Sequence, residues 1–212
     1  MKLRGLFIIL EGTEGAGKST LLEALSSRLT EEQKSHILTR EPGGSPLAEK
    51  IRRVILEESM NPWTELFLYE AARAQHLHET ILPALHSGKI VLCDRFTDSS
   101  LAYQAHARGL SWKKVHQVNE IAIQGLKADL KVLLDIDPER GLQRANDRNR
   151  FEAEGLAFQK KVREGYLKAI REKPKNWLRL KVSKHSPEKL ADKILEEIKE
   201  RHSGRYSKIG KA

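Results

Sequence analysis

The chain has 212 residues, 32% of them charged and 6% aromatic, with a formal net charge of +9. That length suits one α/β unit with a sizeable core, and the composition excludes a disordered chain. No apolar run approaches the ~20 residues that cross a bilayer, so no membrane partner is expected.

In chain order, Leu6 to Leu10 form the first apolar run, behind Lys2 and Arg4. This run is too short for a signal core and leads into a glycine loop, not a cleavage site. Further short apolar runs lie near residues 36–39, 89–93, 130–136 and 177–182. Segments of helical period fill residues 18–30, 46–58, 64–86, 111–126, 138–147, 156–172 and 187–201. Short apolar runs alternating with helices predict a five-stranded parallel sheet covered on both faces, with "WLRLKV" alternating like an edge strand. Pro62, Pro138 and Pro187 stand where first helical turns begin, Ser111 and Ser186 read as caps, and Gly88 follows a helix end. Without repeats or a Pro/Ser-rich linker, residues 1–200 read as one domain. The last twelve residues hold Arg201, Arg205, Lys208 and Lys211 and no acid. They supply four of the nine net charges and are expected to be a flexible tail, not a nucleic-acid-binding arm. Cys93 is the one cysteine, in an apolar strand; a packed thiol in a reducing cytoplasm is expected.

"GTEGAGKS", Gly12 to Ser19, satisfies G-x-x-x-x-G-K-[ST] between an apolar run and a helical one. Glycines at 12, 15 and 17 let the loop curl so that its amides, from Thr13 through Glu14 and Ala16 to Thr20, face a phosphate chain. The following helix adds its positive end. Lys18 is placed to reach the β and γ phosphates of ATP, and the Ser19 hydroxyl to ligate Mg²⁺. Glu11 and Glu14 put carboxylates beside that phosphate chain; a water-bridged Mg²⁺ or a substrate hydroxyl gives them a reason, and a solvated turn residue is the plain alternative.

At the end of the third apolar run, Asp94 and Arg95 arrive together in "VLCDRFTDSSLAYQ". A guanidinium there can offer two donors and a permanent charge to phosphate.

"LEGTEGAGKST", "TREPGGSPLAEKIR", "LYEAARAQ" and "DRFTDSSLAYQ", in this order, resemble the thymidylate kinase family of P-loop nucleoside monophosphate kinases over nearly residues 6–200. The resemblance implies a three-layer P-loop fold with a short lid near residues 144–155, transfer of the ATP γ-phosphoryl group to dTMP, cofactor Mg²⁺ and a homodimer built from helices around residues 46–86 and 98–125. It places Asp94 near Mg²⁺ and Arg95 on the acceptor phosphate beside the γ phosphate. Glu41 and Arg52 then hold the monophosphate end, with a Glu41–Pro42 bond that can be cis. Tyr69, where the family usually has phenylalanine, stacks on the base, and Arg73, four residues on, bonds the base edge. Ser100 and Gln104 lie along thymine and sugar, and Tyr103 crowds the ribose 2′ position. Because Gly15 follows Glu14, the loop lacks the arginine that some members carry there. The bacterial arrangement then assigns that charge to the lid, with Arg148 and Arg150 ahead of Arg144 and Arg140.

Other readings stay open at this point. A kinase of another nucleoside monophosphate shares most of these residues. A deoxynucleoside kinase needs a carboxylate for the 5′-hydroxyl proton, which Glu11 or Asp94 could supply. A nucleotide switch or nucleic-acid-associated ATPase would use the basic tail on phosphate backbone.

Overall fold

The computed structural model describes residues 4–144, 154–182 and 185–210. Strands β1 (Leu6–Glu11), β2 (His36–Arg40), β3 (Ile90–Asp94), β4 (Leu130–Asp135) and β5 (Trp177–Lys181) form one parallel sheet in the order β2-β3-β1-β4-β5. The central β1 is buried along its whole length, because successive side chains feed two different cores. Leu6, Ile8 and Leu10 meet α1 (Lys18–Glu31) and the last helix, α9 (Pro187–Tyr206). Phe7 and Ile9 pack on the opposite side with Leu77, Ile81, Val91 and Phe96. Cys93 sits in that second core, and burial raises its thiol pKa well above the ordinary value.

Between β2 and β3 run α2 (Pro46–Glu57), α3 (Pro62–His76), a π-helical turn at Leu77–Ile81 and α4 (Leu82–His86). The segment expected as one helix over 64–86 is thus broadened by one wide turn that ends two residues before Pro83, which has no N–H to continue the α pattern. After β3 come α5 (Thr97–Ser100), a second π-helical turn at Leu101–Ala107 and α6 (Trp112–Ile123). Helical punctuation alone did not place residues 97–107 in a helix. Among the described residues the remaining helices are α7 (Pro138–Arg144), α8 (Gly155–Glu172) and a 3-10 turn at Pro174–Asn176. The loops that carry chemistry follow β1, β2 and β3, at the carboxyl edge of the sheet, where open parallel sheets place ligands.

The C-terminal segment corrects the sequence reading. The expected flexible tail is instead folded on the protein: α9 continues through a kink at His202 to Tyr206, and Tyr206 and Ile209 are buried in the first core. The Tyr206 hydroxyl donates to Glu32 at 2.7 Å, Ser35 N–H to the Gly210 carbonyl at 2.9 Å, and Arg205 pairs with Asp129. A charge count sees the four basic residues and misses the two apolar anchors among them. Replacing a buried isoleucine by alanine removes transfer energy and leaves a cavity, so Ile209→Ala is expected to cost about 2–3 kcal/mol in denaturant unfolding. A frayed tail would give no change.

Candidate active site

The phosphate loop begins where β1 ends. Gly12 lies against β4, and a Cβ there would come within 2.9 Å of the Leu134 carbonyl oxygen. Gly17, at φ +86°, caps α1. Gly15, at φ +67°, faces Gly141 of α7 backbone to backbone, so a side chain at 15 would collide with the Gly141 carbonyl. Lys18 is 7% exposed and donates to the carbonyls of Gly12 (3.5 Å) and Thr13 (3.3 Å). Burial, then the neighbouring Arg95, lowers its pKa. Residues 14–21 line a cleft of about 700 Å³ together with Asp94, Arg144 and the start of α9.

A second, narrower cavity of about 90 Å³ opens beside it, lined by Tyr69, Arg73, Ser100, Tyr103 and Gln104. Glu14, Glu41, Arg52 and Arg95 line both. The two cavities therefore meet at two arginines and two carboxylates. The Glu41–Pro42 bond is cis, and Arg52 donates to the Pro42 carbonyl at 2.8 Å. Arg95 has a left-handed backbone, φ +68°, and 15% of its side chain is exposed. Its Nη2 pairs with Glu14 at 2.7 Å; its Nη1 donates to the Gly12 carbonyl at 2.8 Å and to the Tyr166 hydroxyl at 3.0 Å. Burial works against that charge, but Glu14 and its neighbours win, and the pKa of Arg95 lies well above the ordinary value. For Glu14, burial raises the pKa, and Arg95 and Lys18 outweigh it to give a lowered value. Tyr103 donates to Glu14 at 3.0 Å, with the Arg95 guanidinium 5.1 Å from its ring centre.

Arg73 is 2% exposed and embedded in protein acceptors. It bonds Glu41 at 2.6 Å, the Asn119 side chain at 2.7 Å, the Phe96 carbonyl at 3.1 Å and also Glu70. Ser100 donates to Glu70, and Gln104 Nε2 to Glu65 at 2.8 Å. The expected acceptor residues are thus brought together, held by acids that the sequence reading did not single out. Arg144 reaches the phosphate cleft and Arg140 is exposed on α7. Arg148 and Arg150 lie outside the described residues.

Glu11 requires a correction. Expected as a metal ligand, it is fully buried and lines neither cavity. Its Oε1 accepts from Phe96 N–H at 2.9 Å; its Oε2 lies 2.6 Å from Ser99 Oγ and 3.0 Å from Tyr166 Oη. The two hydroxyls are themselves 2.8 Å apart. Both hydroxyls donate to the carboxyl Oε2. Burial, then the charge of Asp98, raises the Glu11 pKa to about 7, against the Ser99 and Phe96 hydrogen bonds, which favour the ionised form. Asp94 differs: its Oδ1 is buried without a hydrogen-bond partner among the described residues, and Asp94 and Ser19 both line the phosphate cleft.

Comparison with known proteins settles the family. The thymidylate kinase family model matches residues 10–194. The chain is 46% identical over 204 residues to a thymidylate kinase of Clostridium novyi (strain NT), covering 92% of this chain and 97% of that relative. It is 44% identical over 199 residues to one from Halalkalibacterium halodurans, covering 90% and 95%. The chain belongs to the thymidylate kinase family. A crystal structure of thymidylate kinase from Ehrlichia chaffeensis superposes with a TM-score of 0.75 at 28% identity, covering 90% of this chain and 98% of that one. The shared architecture is the P-loop NTPase fold, with the sheet and helices of a thymidylate kinase around both cavities.

The raised pKa of the Glu11 carboxyl proton has a consequence for stability. The folded protein holds that proton more tightly than the unfolded chain, so raising the pH from about 4.5 to about 7 withdraws a stabilising contribution, and above that the loss is constant. Glu11→Gln keeps the oxygen for Phe96 N–H and brings its own hydrogens to the two hydroxyls. The expected outcome is that unfolding free energy falls more in the wild type than in Glu11→Gln between pH 4.5 and 8, with parallel curves contradicting the assignment.

Proposed function

We infer that this protein transfers the γ-phosphoryl group of ATP to dTMP, giving ADP and dTDP, the step that feeds dTTP synthesis. The observation that carries the reading is the junction of the phosphate-loop cleft with the narrow second cavity at Arg52 and Arg95. Two phosphate groups repel, and two fixed guanidiniums at their meeting point offset that repulsion while aligning donor and acceptor. A phosphate monoester has a second pKa near ~6, so the attacking oxygen is already anionic at neutral pH and no dedicated base is needed. Catalysis is then alignment and charge stabilisation by the loop amides, Lys18 and Arg95.

Ser19 and the unpartnered Asp94 Oδ1 suit a hard cation that takes oxygen ligands, and we assign Mg²⁺ to them. Bound there, the ion supplies neutralisation of the β and γ phosphate oxygens. In the second cavity Tyr69 is assigned to the base face, Ser100, Gln104 and Arg73 to the base edge and sugar, Glu41 and Arg52 to the monophosphate end, and Tyr103 to exclusion of a ribose 2′-hydroxyl. Arg73 fits a supporting place as well as a direct one, given its protein partners. Gly15 leaves no room for a loop arginine, which favours Arg148 and Arg150 as the lid cations. A second copy of the chain is the proposed partner: Leu47, Val54, Phe67 and Ile121, on α2, α3 and α6, are 44–77% exposed. Among the described residues no helix is long and apolar enough to cross a membrane, and the unpaired buried Cys93 fits a reducing cytoplasm.

ADP release from Mg-ATP with dTMP, dUMP, UMP, CMP and thymidine supplied separately tests the reading. Selective turnover of dTMP, abolished in Lys18→Ala, is the expected result; preference for another acceptor would move the assignment of the second cavity. Tyr103→Ala should raise the relative kcat/KM for ribonucleotides at least tenfold, and an unchanged dTMP to UMP ratio would reject the steric account.

A further inference from the structure

Tyr166 stands on α8, far in sequence from both phosphate-binding loops, yet its hydroxyl lies inside the active-site network. The backbone explains how it gets there. A Cβ at Gly165 would lie 2.7 Å from Ala102 Cα and 2.9 Å from His106 Cβ, so α8 closes on the π-helical turn at 101–107 only because residue 165 has no side chain. That approach brings the Tyr166 hydroxyl within 3.0 Å of Arg95 Nη1, 2.8 Å of Ser99 Oγ and 3.0 Å of Glu11 Oε2. Tyr166 is fully buried, and burial followed by the neighbouring Glu11 raises its pKa well above the ordinary value, so the hydroxyl stays neutral.

Arg95 needs such a partner. Its backbone is in the left-handed region, uncommon for a residue with a side chain, and its guanidinium has to sit between two anions without collapsing onto either. Glu11 fixes the peptide just after Arg95 through Phe96 N–H, Glu14 holds Nη2, and the Gly12 carbonyl and Tyr166 hydroxyl hold Nη1. Of these anchors only Tyr166 comes from outside the β1 and β3 loops.

We propose that Tyr166 is a positioning residue for the phosphoryl transfer, fixing the Arg95 guanidinium at the junction of the two cavities through its hydroxyl. The proposal rests on the dTMP kinase reading and goes beyond it. It also gives Glu11 a place: with Ser99, Glu11 orients the Tyr166 hydroxyl so that an oxygen lone pair faces Arg95.

A double-mutant cycle separates positioning from packing. Tyr166→Phe keeps the ring and removes only the hydroxyl. In an otherwise wild-type chain it is expected to lower kcat with dTMP by on the order of tenfold or more, with the KM for ATP within about twofold. In an Arg95→Lys background, where the fork that the hydroxyl holds is gone, the same change is expected to shift kcat by less than about twofold. Equal losses in both backgrounds, or wild-type kcat in Tyr166→Phe alone, would overturn the proposal. Thermal unfolding of all four proteins identifies any loss of kcat that merely follows loss of fold, and the Tyr166→Phe effect is then read at a temperature where all four are folded. Failure of the wild type to turn over dTMP would strike the underlying reading instead, so the two failures are told apart.

Discussion

A guanidinium withdrawn from water costs several kcal/mol unless its charge and donors are met, and Arg95 has to meet that cost while staying available to phosphate. Its neighbourhood follows from this constraint. Glu14 supplies the opposite charge from inside the phosphate loop, and the Gly12 carbonyl and Tyr166 hydroxyl take the other terminal nitrogen. The same requirement recurs at Arg73, which is buried still more deeply and is met by Glu41, Glu70 and Asn119. The guanidiniums of Arg73 and Arg95 therefore both sit in a frame of acids, beside the carboxyl edge of the sheet.

The parallel sheet makes that placement possible. β1 and β3 are neighbours in register, Leu10 beside Asp94, so the loops that leave them emerge side by side. Glu11 then stitches one loop to the other by accepting from Phe96 N–H, out of reach of solvent. Burial and the charge of Asp98 raise the pKa of this carboxyl group, while the hydroxyl and amide that donate to it pull the other way.

Much of this was legible in the sequence because the chemistry is local. The glycine spacing of residues 12–17, the Lys-Ser pair and the apolar run before them define a phosphate loop without reference to the rest of the chain, and the alternation of apolar runs with helices gives the sheet. Arg52, Tyr69, Arg95, Tyr103 and Gln104 came from short blocks whose spacing matches a family, and the structure gathers them around one cavity. What stayed hidden depends on tertiary approach. Tyr166 is one tyrosine on a basic amphipathic helix until Gly165 is seen against Ala102. Glu70 and Asn119 look like ordinary helical polar residues, and their function is visible only with Arg73 between them. Glu11 looked like a metal ligand because sequence shows a carboxylate next to a phosphate loop but not the direction it faces. The C-terminal segment departs from its composition for a related reason: charge dominates the sequence there, whereas the buried Tyr206 and Ile209 hold it on the core.

The central claim is that the two cavities form one continuous anion site bridged by Arg95. It is tested most directly by calorimetric titration of a dinucleotide carrying adenosine and thymidine at the two ends of one phosphate chain, against wild type and Arg95→Ala. The account predicts tight single-site binding that competes with both ATP and dTMP and weakens by at least about tenfold in the variant, the scale of one charge-assisted hydrogen-bonded contact. Binding that competes with only one nucleotide, or that is unchanged without Arg95, would contradict it.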